Sequence, residues 1–140
     1  MLRAVFVVAA AALVACGPDD PNKGQEVVLL PFPDDGGAVT WDGWAGAFVR
    51  DYCVECHQPS APCGGNGCHA PGDPALWDFH DKSTFVERAP IIRCGIATTQ
   101  DPSWSCGSTK PKQFPVVGDN PLPVDEQRAI MVDWIDAGCP

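Results

Sequence analysis

The chain is short of the groups that usually hold ligands by charge or coordination. It has three histidines, two methionines and a single tyrosine, and its 9 basic residues face 18 acidic ones, for a net charge of −9. A surface of that sign repels nucleic acid and anionic lipid head groups, so recognition by a basic patch is excluded. It serves solubility and the steering of a basic partner equally well, and charge does not choose between them. Neither a Gly-x-Ser-x-Gly elbow nor a His-Glu-x-x-His zinc site is present, which leaves conventional hydrolase chemistry without its side chains. Asp51 and Glu55, four apart, read as a solvated helix face rather than an acid–base pair. There is no internal repeat, and no apolar run reaches the ~20 residues that a membrane-crossing helix needs. Proline, glycine and cysteine, by contrast, are plentiful at 15, 14 and 8 residues.

The N-terminus carries Met1-Leu2-Arg3 and then an apolar run from Ala4 to Ala15, the profile of an export signal. The run closes on Leu13-Val14-Ala15-Cys16, which resembles a bacterial lipobox and implies cleavage before Cys16 and lipidation of its thiol. The alternative is ordinary cleavage near Ala15 that leaves Cys16 as a thiol. Export places the remaining cysteines in an oxidising envelope, where they form disulfides or carry a cofactor. Gly17 stands where some inner-membrane lipoproteins carry a retaining aspartate, which leans toward the outer membrane.

Three regions follow: a signal at 1–15, a flexible tether at 16–36 and one domain at 37–140. Within the tether, Val27-Val28-Leu29-Leu30 is a short apolar run of unassigned role, and Asp34-Asp35-Gly36-Gly37 is a turn-like break. Trp41, Trp44, Ala45, Phe48 and Tyr52 fall at helical spacing, with Thr40 or Asp42 available as a cap. A short helix is expected around Ser83 to Arg88, ended by Pro90. A last helix is expected from about Val124 to Ala137, with Asp125 and Glu126 at its positive end and Gly138 as its stop. Ile130, Met131, Trp134 and Ile135 form its apolar face. Two aromatic stripes separated by a long loop-rich stretch are a poor basis for a core, so a further constituent is expected at the centre.

Cys53-Val54-Glu55-Cys56-His57 has the haem-attachment pattern C-x-x-C-H. Cysteines three apart on a helical turn point in neighbouring directions and match the two vinyl groups on one edge of a porphyrin, while the adjacent histidine reaches the iron. Two other readings use the same cysteines. A redox dithiol would be expected within a βαβ pattern, which is lacking. A zinc site built from Cys53, Cys56, Cys63 and Cys68 is weakened by oxidising surroundings.

The run from Phe48 through Tyr52 into Cys53–His57 resembles the first helix and attachment site of a class I c-type cytochrome, and Glu126 to Gly138 resembles its last helix. The resemblance implies an all-α, cytochrome c-like fold, with crossing N- and C-terminal helices around one covalent haem c. It implies thioethers at Cys53 and Cys56, His57 as proximal iron ligand, and Phe48 meeting Trp134 where the helices cross. The chain departs from the family in the loop before the last helix, where Lys112-Gln113-Phe114-Pro115 has phenylalanine in place of the expected methionine. The sixth iron ligand stays open among His80, His69, Met131 (more simply a core residue) and none. Cys63 and Cys68-His69 form a C-x4-C-H variant, but two haems ligated by histidine on both faces need four histidines and the chain has three. Disulfides are favoured among Cys63, Cys68, Cys94, Cys106 and Cys139, with Cys94–Cys106 the preferred pair. Once Cys16 and a haem-bearing pair are set aside an odd number remain, so one, such as Cys139, is left over.

The expectation is thus a periplasmic electron carrier rather than an enzyme, held in the bacterial envelope by lipid on Cys16 and serving a redox partner with a basic docking surface. Two rivals stand beside it: a haem sensor or peroxidase-like protein with an open iron position, and a haem-free lipoprotein stabilised by disulfides or zinc.

Overall fold

Thr40 opens the first helical segment. Its backbone is extended, at φ −124° and ψ 163°, and its Oγ1 accepts a hydrogen bond from the Gly43 N–H at 3.0 Å, an N-cap arrangement. The turn that follows, Trp41–Ala45, is wide and π-helical, and it runs into helix α1, Gly46–Tyr52. A Cβ on Gly46 would stand 2.8 Å from the Trp41 carbonyl oxygen, so this wide turn demands glycine there. The expected stripe is realised, with Trp44, Ala45, Phe48 and Tyr52 buried and Trp41 half-buried. The computed structural model describes residues 24–33, 38–58, 77–115 and 121–140. The signal, Cys16, the break at 34–37, and Cys63, Cys68 and His69 lie outside the described residues.

Helix α2, Lys82–Ile96, differs most from expectation, because it passes through Pro90 instead of ending before it. Proline removes one helical hydrogen bond, but the residues beyond it bring further apolar groups to the same face. Phe85, Ala89, Ile92 and Ile96 recur at helical spacing and are all buried. The far end is also held from outside. The Gly95 carbonyl accepts the Phe114 N–H at 2.9 Å, and Cys94 is joined to Cys106 in the disulfide expected from their spacing. Gly95 has a packing reason as well, since a Cβ there would lie 2.1 Å from the Phe114 ring.

Asp81 caps the start of α2 through hydrogen bonds from the hydroxyls and backbone N–H groups of Ser83 and Thr84. The Ser83 and Thr84 hydroxyls lead in drawing its pKa from 3.8 down to about 2. A carboxylate with a depressed folded-state pKa stabilises the fold above its unfolded value, and that contribution fades as pH falls through the folded one. Thermal scans are therefore expected to show the gap between wild type and Asp81→Ala constant from neutral pH down to roughly pH 5, then closing between 3.8 and about 2. A gap that persisted unchanged at pH 2 would rule out this cap as an ionised group.

Helix α3, Asp125–Asp136, ends as the glycine signal predicts. Gly138, at φ +89°, donates to the Ile135 carbonyl at 3.0 Å, and Cys139 donates to the Trp134 carbonyl at 3.1 Å. This paired closure satisfies two terminal carbonyls. The architecture is all-helical, with no strand among the described residues and one isolated parallel bridge between Glu26 and Leu122. No described helix is long and apolar enough to cross a membrane.

The helices close on one aromatic core. Phe85 lies 5.8 Å from Trp41 and 6.2 Å from Trp134, while Trp41 and Trp134 lie 6.0 Å apart. Phe48 and Trp134, the pairing implied for a helix crossing, share this core, but the ring contacts of Phe48 are with Trp44 and Tyr52, tilted at 5.3 and 4.9 Å. Tyr52 hydrogen-bonds Gln127 near the start of α3, and the Trp41 N–H reaches the Pro140 carbonyl beyond its end. The first helical segment and α3 therefore run antiparallel. Phe48, Phe85 and Met131 are fully buried and lie in one core. The apolar face of α2, hidden in the sequence behind Pro90, contributes Phe85, Ala89, Ile92 and Ile96 to it.

The later part of the expected tether lies against this body. Leu122 donates to the Gln25 carbonyl and Val27 donates to the Leu122 carbonyl, both at 2.8 Å. The Trp44 indole donates to the Pro31 carbonyl, and the Gln127 amide donates to that of Leu30, also at 2.8 Å. Residues 25–31 are thus pinned by the Leu122 backbone and by side chains of two helical segments.

Candidate functional site

The C-x-x-C-H pentapeptide is a single tight turn at the exit of α1. Cys53 leaves helical geometry, and its N–H still reaches the Val49 carbonyl at 2.8 Å. The Cys53 carbonyl then accepts the N–H groups of Cys56 and His57, at 3.2 and 3.1 Å, and His57 also donates to Val54 at 3.0 Å. Val54 is buried and anchors the turn, Glu55 is exposed, and Cys53, Cys56 and His57 are half-buried. The structure thus brings Cys53, Cys56 and His57 together on one turn. Among the described residues, no three His, Cys, Asp or Glu side chains are grouped to hold a metal ion.

The segment entering α2 supplies an aromatic cradle for His57. Its carbonyl accepts the Phe79 N–H at 3.0 Å, and its imidazole stacks on Phe79 with centroids 4.3 Å apart and planes at 24°. Trp77 lies nearly parallel to the imidazole at 6.1 Å, with the Arg88 guanidinium 4.8 Å from the Trp77 ring centre. Phe79 meets Phe85 edge-on at 5.2 Å, so rings run continuously from the motif into the core.

Burial pushes the Cys53 thiol up to about 12; neighbouring Cys56 adds to the rise and the Arg128 charge opposes it. Such a thiol is protonated at neutral pH and is a poor nucleophile, which speaks against thiol–disulfide exchange at Cys53. The two thiols and the imidazole match the donor set for a covalent haem, but at the margin of a closed core rather than around a central cavity.

The remaining candidates fall in different places. Met131 has no exposed surface and belongs to the core. His80 is exposed on the rim of an open cleft of about 270 Å³, lined by Trp41, Gly46, Arg50, Val54 and Phe79. That is below the ~300–1,000 Å³ usual for ligand cavities. The His80 N–H bonds Asp78 Oδ1 at 3.0 Å, and its Nε2 lies 3.5 Å from Gln58 Oε1. Phe114, at the position expected for methionine, packs on Gly95.

Two polar residues beside the site carry weight that their sequence positions did not announce. Arg128, 1 % exposed, donates through Nε to the Pro123 carbonyl at 3.0 Å and through Nη1 to those of Ile96 and Phe114, at 3.2 and 2.7 Å. It ties the end of α2 and the loop at Phe114 to the start of α3. Burial pulls its pKa down, and Glu26 and Asp125 oppose that. Gln127, fully buried, meets the Tyr52 hydroxyl at 2.8 Å, one residue before Cys53. The signal was their phase: Gln127 and Arg128 share the face of Met131, Trp134 and Ile135. Comparison with protein-family models, with curated proteins and with solved structures finds no match to this chain.

Proposed function

We propose that Cys53 and Cys56 attach one haem c, that His57 ligates its iron, and that the protein is an electron carrier on the periplasmic side of a membrane, anchored by lipid on Cys16. The observation that supports it is the turn itself: two cysteines three apart, tied back to α1, with the adjacent imidazole fixed between a backbone hydrogen bond and the Phe79 face. A haem held there supplies an iron that gains and loses one electron, with no bond made or broken in a substrate. The chain's own part is positional. Phe79 and Trp77 orient the imidazole and keep water from one of its faces, and the core behind them keeps the turn rigid. The acidic surface favours a partner with a basic docking face.

A second reading, a haem-free lipoprotein domain, is supported by the Cys94–Cys106 disulfide and by the apolar core that the described helices bury. One experiment separates the two. With a competent haem-ligation system, the intact mass of wild type is expected to exceed polypeptide plus lipid by one haem. The pyridine haemochrome spectrum is expected to be that of a c-type haem, and Cys53→Ala/Cys56→Ala is expected to lose both signals. A colourless wild type with the bare mass would leave the haem-free reading standing.

A further inference from the structure

Among the described residues, the large apolar side chains left exposed are Val28, Leu29 and Phe32, at 51 %, 42 % and 46 %. All three fall on the short segment that precedes the helices. That segment is rigid where it matters, because Val27, Leu29, Leu30 and Pro31 are held through their backbone groups by Leu122, Tyr52, Gln127 and Trp44. In a chain this acidic, exposed bulky apolar groups that fall, among the described residues, on one fixed segment present a contact surface there, not scattered residues.

We infer that this edge seats the domain on the lipid bilayer to which Cys16 is attached, with Val28, Leu29 and Phe32 entering the head-group boundary. The inference rests on the reading of Cys16 as lipidated. From Cys16 to Gly24 the chain spans at most about 30 Å, at ~3.5 Å per residue, so the apolar edge is the part of the described body tied nearest the membrane. Apolar and aromatic side chains gain free energy at the lipid–water boundary, and a second contact strengthens the hold of an acyl anchor. The net charge, −9 for the chain and more negative still once Arg3 leaves with the signal, makes zwitterionic lipid the fitting surface, since anionic head groups repel it. The seating holds the domain in one orientation while the lipid prevents its escape.

Hydrogen exchange on the full mature protein in phosphatidylcholine vesicles tests this, with intact mass reporting the lipid on Cys16. Lipidated wild type is expected to exchange several-fold more slowly across residues 28–32 in vesicles than the Cys16→Ser protein does in solution. Val28→Ser/Leu29→Ser/Phe32→Ser, whose substitutions fall on exposed side chains, is expected to keep the lipid and the helical circular dichroism but lose that protection. Vesicles enriched in phosphatidylglycerol are expected to protect less. Lipidated wild type with unprotected 28–32 amides overturns the seating while leaving the anchor intact; a mass without lipid overturns the anchor reading itself. Protection of the same amides in Cys16→Ser alone, rising with protein concentration, assigns the edge to a second copy of the chain and also overturns the proposal.

Discussion

Arg128→Met is expected to lower folding stability by about 3 kcal/mol, read as a fall in the denaturant midpoint at unchanged slope. The side chain is buried and its charge is shared among three carbonyl groups, those of Pro123, Ile96 and Phe114. Hydrogen bonds from a charged donor are worth roughly 1.5–3 kcal/mol each, so losing them removes more than any one apolar contact contributes. Methionine gives part of that back, because the cost of desolvating the guanidinium, several kcal/mol, disappears with it. The remainder is a net loss, since three carbonyls stay buried without their donor. Arg128→Lys keeps the charge, but a single ammonium cannot reproduce the planar fork that reaches all three, so it is expected to fall between wild type and methionine. If Arg128→Met were as stable as wild type, the arginine would be a passenger in the core.

Phe85→Ala is expected to cost about 4 kcal/mol, the upper part of the range for removing a buried aromatic ring. The ring has no exposed surface and touches Trp41, Phe79 and Trp134. Two of those neighbours are tryptophans, so the loss is also expected in their fluorescence and in the near-ultraviolet circular dichroism. Phe85→Leu, which keeps most of the volume, is expected to lose about 1.5 kcal/mol. Because Phe79 leans on Phe85 and His57 leans on Phe79, the alanine variant is further expected to loosen the imidazole. A loss under about 1 kcal/mol would place Phe85 outside the core.

These two side chains also mark where sequence reasoning succeeded and where it did not. The last helix was legible because its signals are local: carboxylates at Asp125 and Glu126, an apolar run in phase, glycine at 138. The Cys94–Cys106 bond was legible because a separation of 12 residues permits the two cysteines to meet, though it does not demand it. The extent of α2 was not, since Pro90 is a strong local stop and only tertiary burial of Ile92 and Ile96 overrides it. With α2 cut short, the core looked too small for the chain. The attachment motif was readable as a pattern, but not its setting: the rings of Trp77 and Phe79 come from beyond a long intervening stretch. Arg128 and Gln127 were hidden by their chemistry, because polar residues on a helix are read as solvent-facing until a partner is visible.

The clamp on residues 25–31 sets an order of events. The Gln127 amide holds the Leu30 carbonyl across a separation of 97 residues, and Leu122 brackets Gln25 and Val27. A polypeptide emerges from the ribosome N-terminus first, so this segment finds these partners only after residues 122 and 127 have been made. Until then the segment has only Trp44 and Tyr52 to close against, and its full set of contacts forms late.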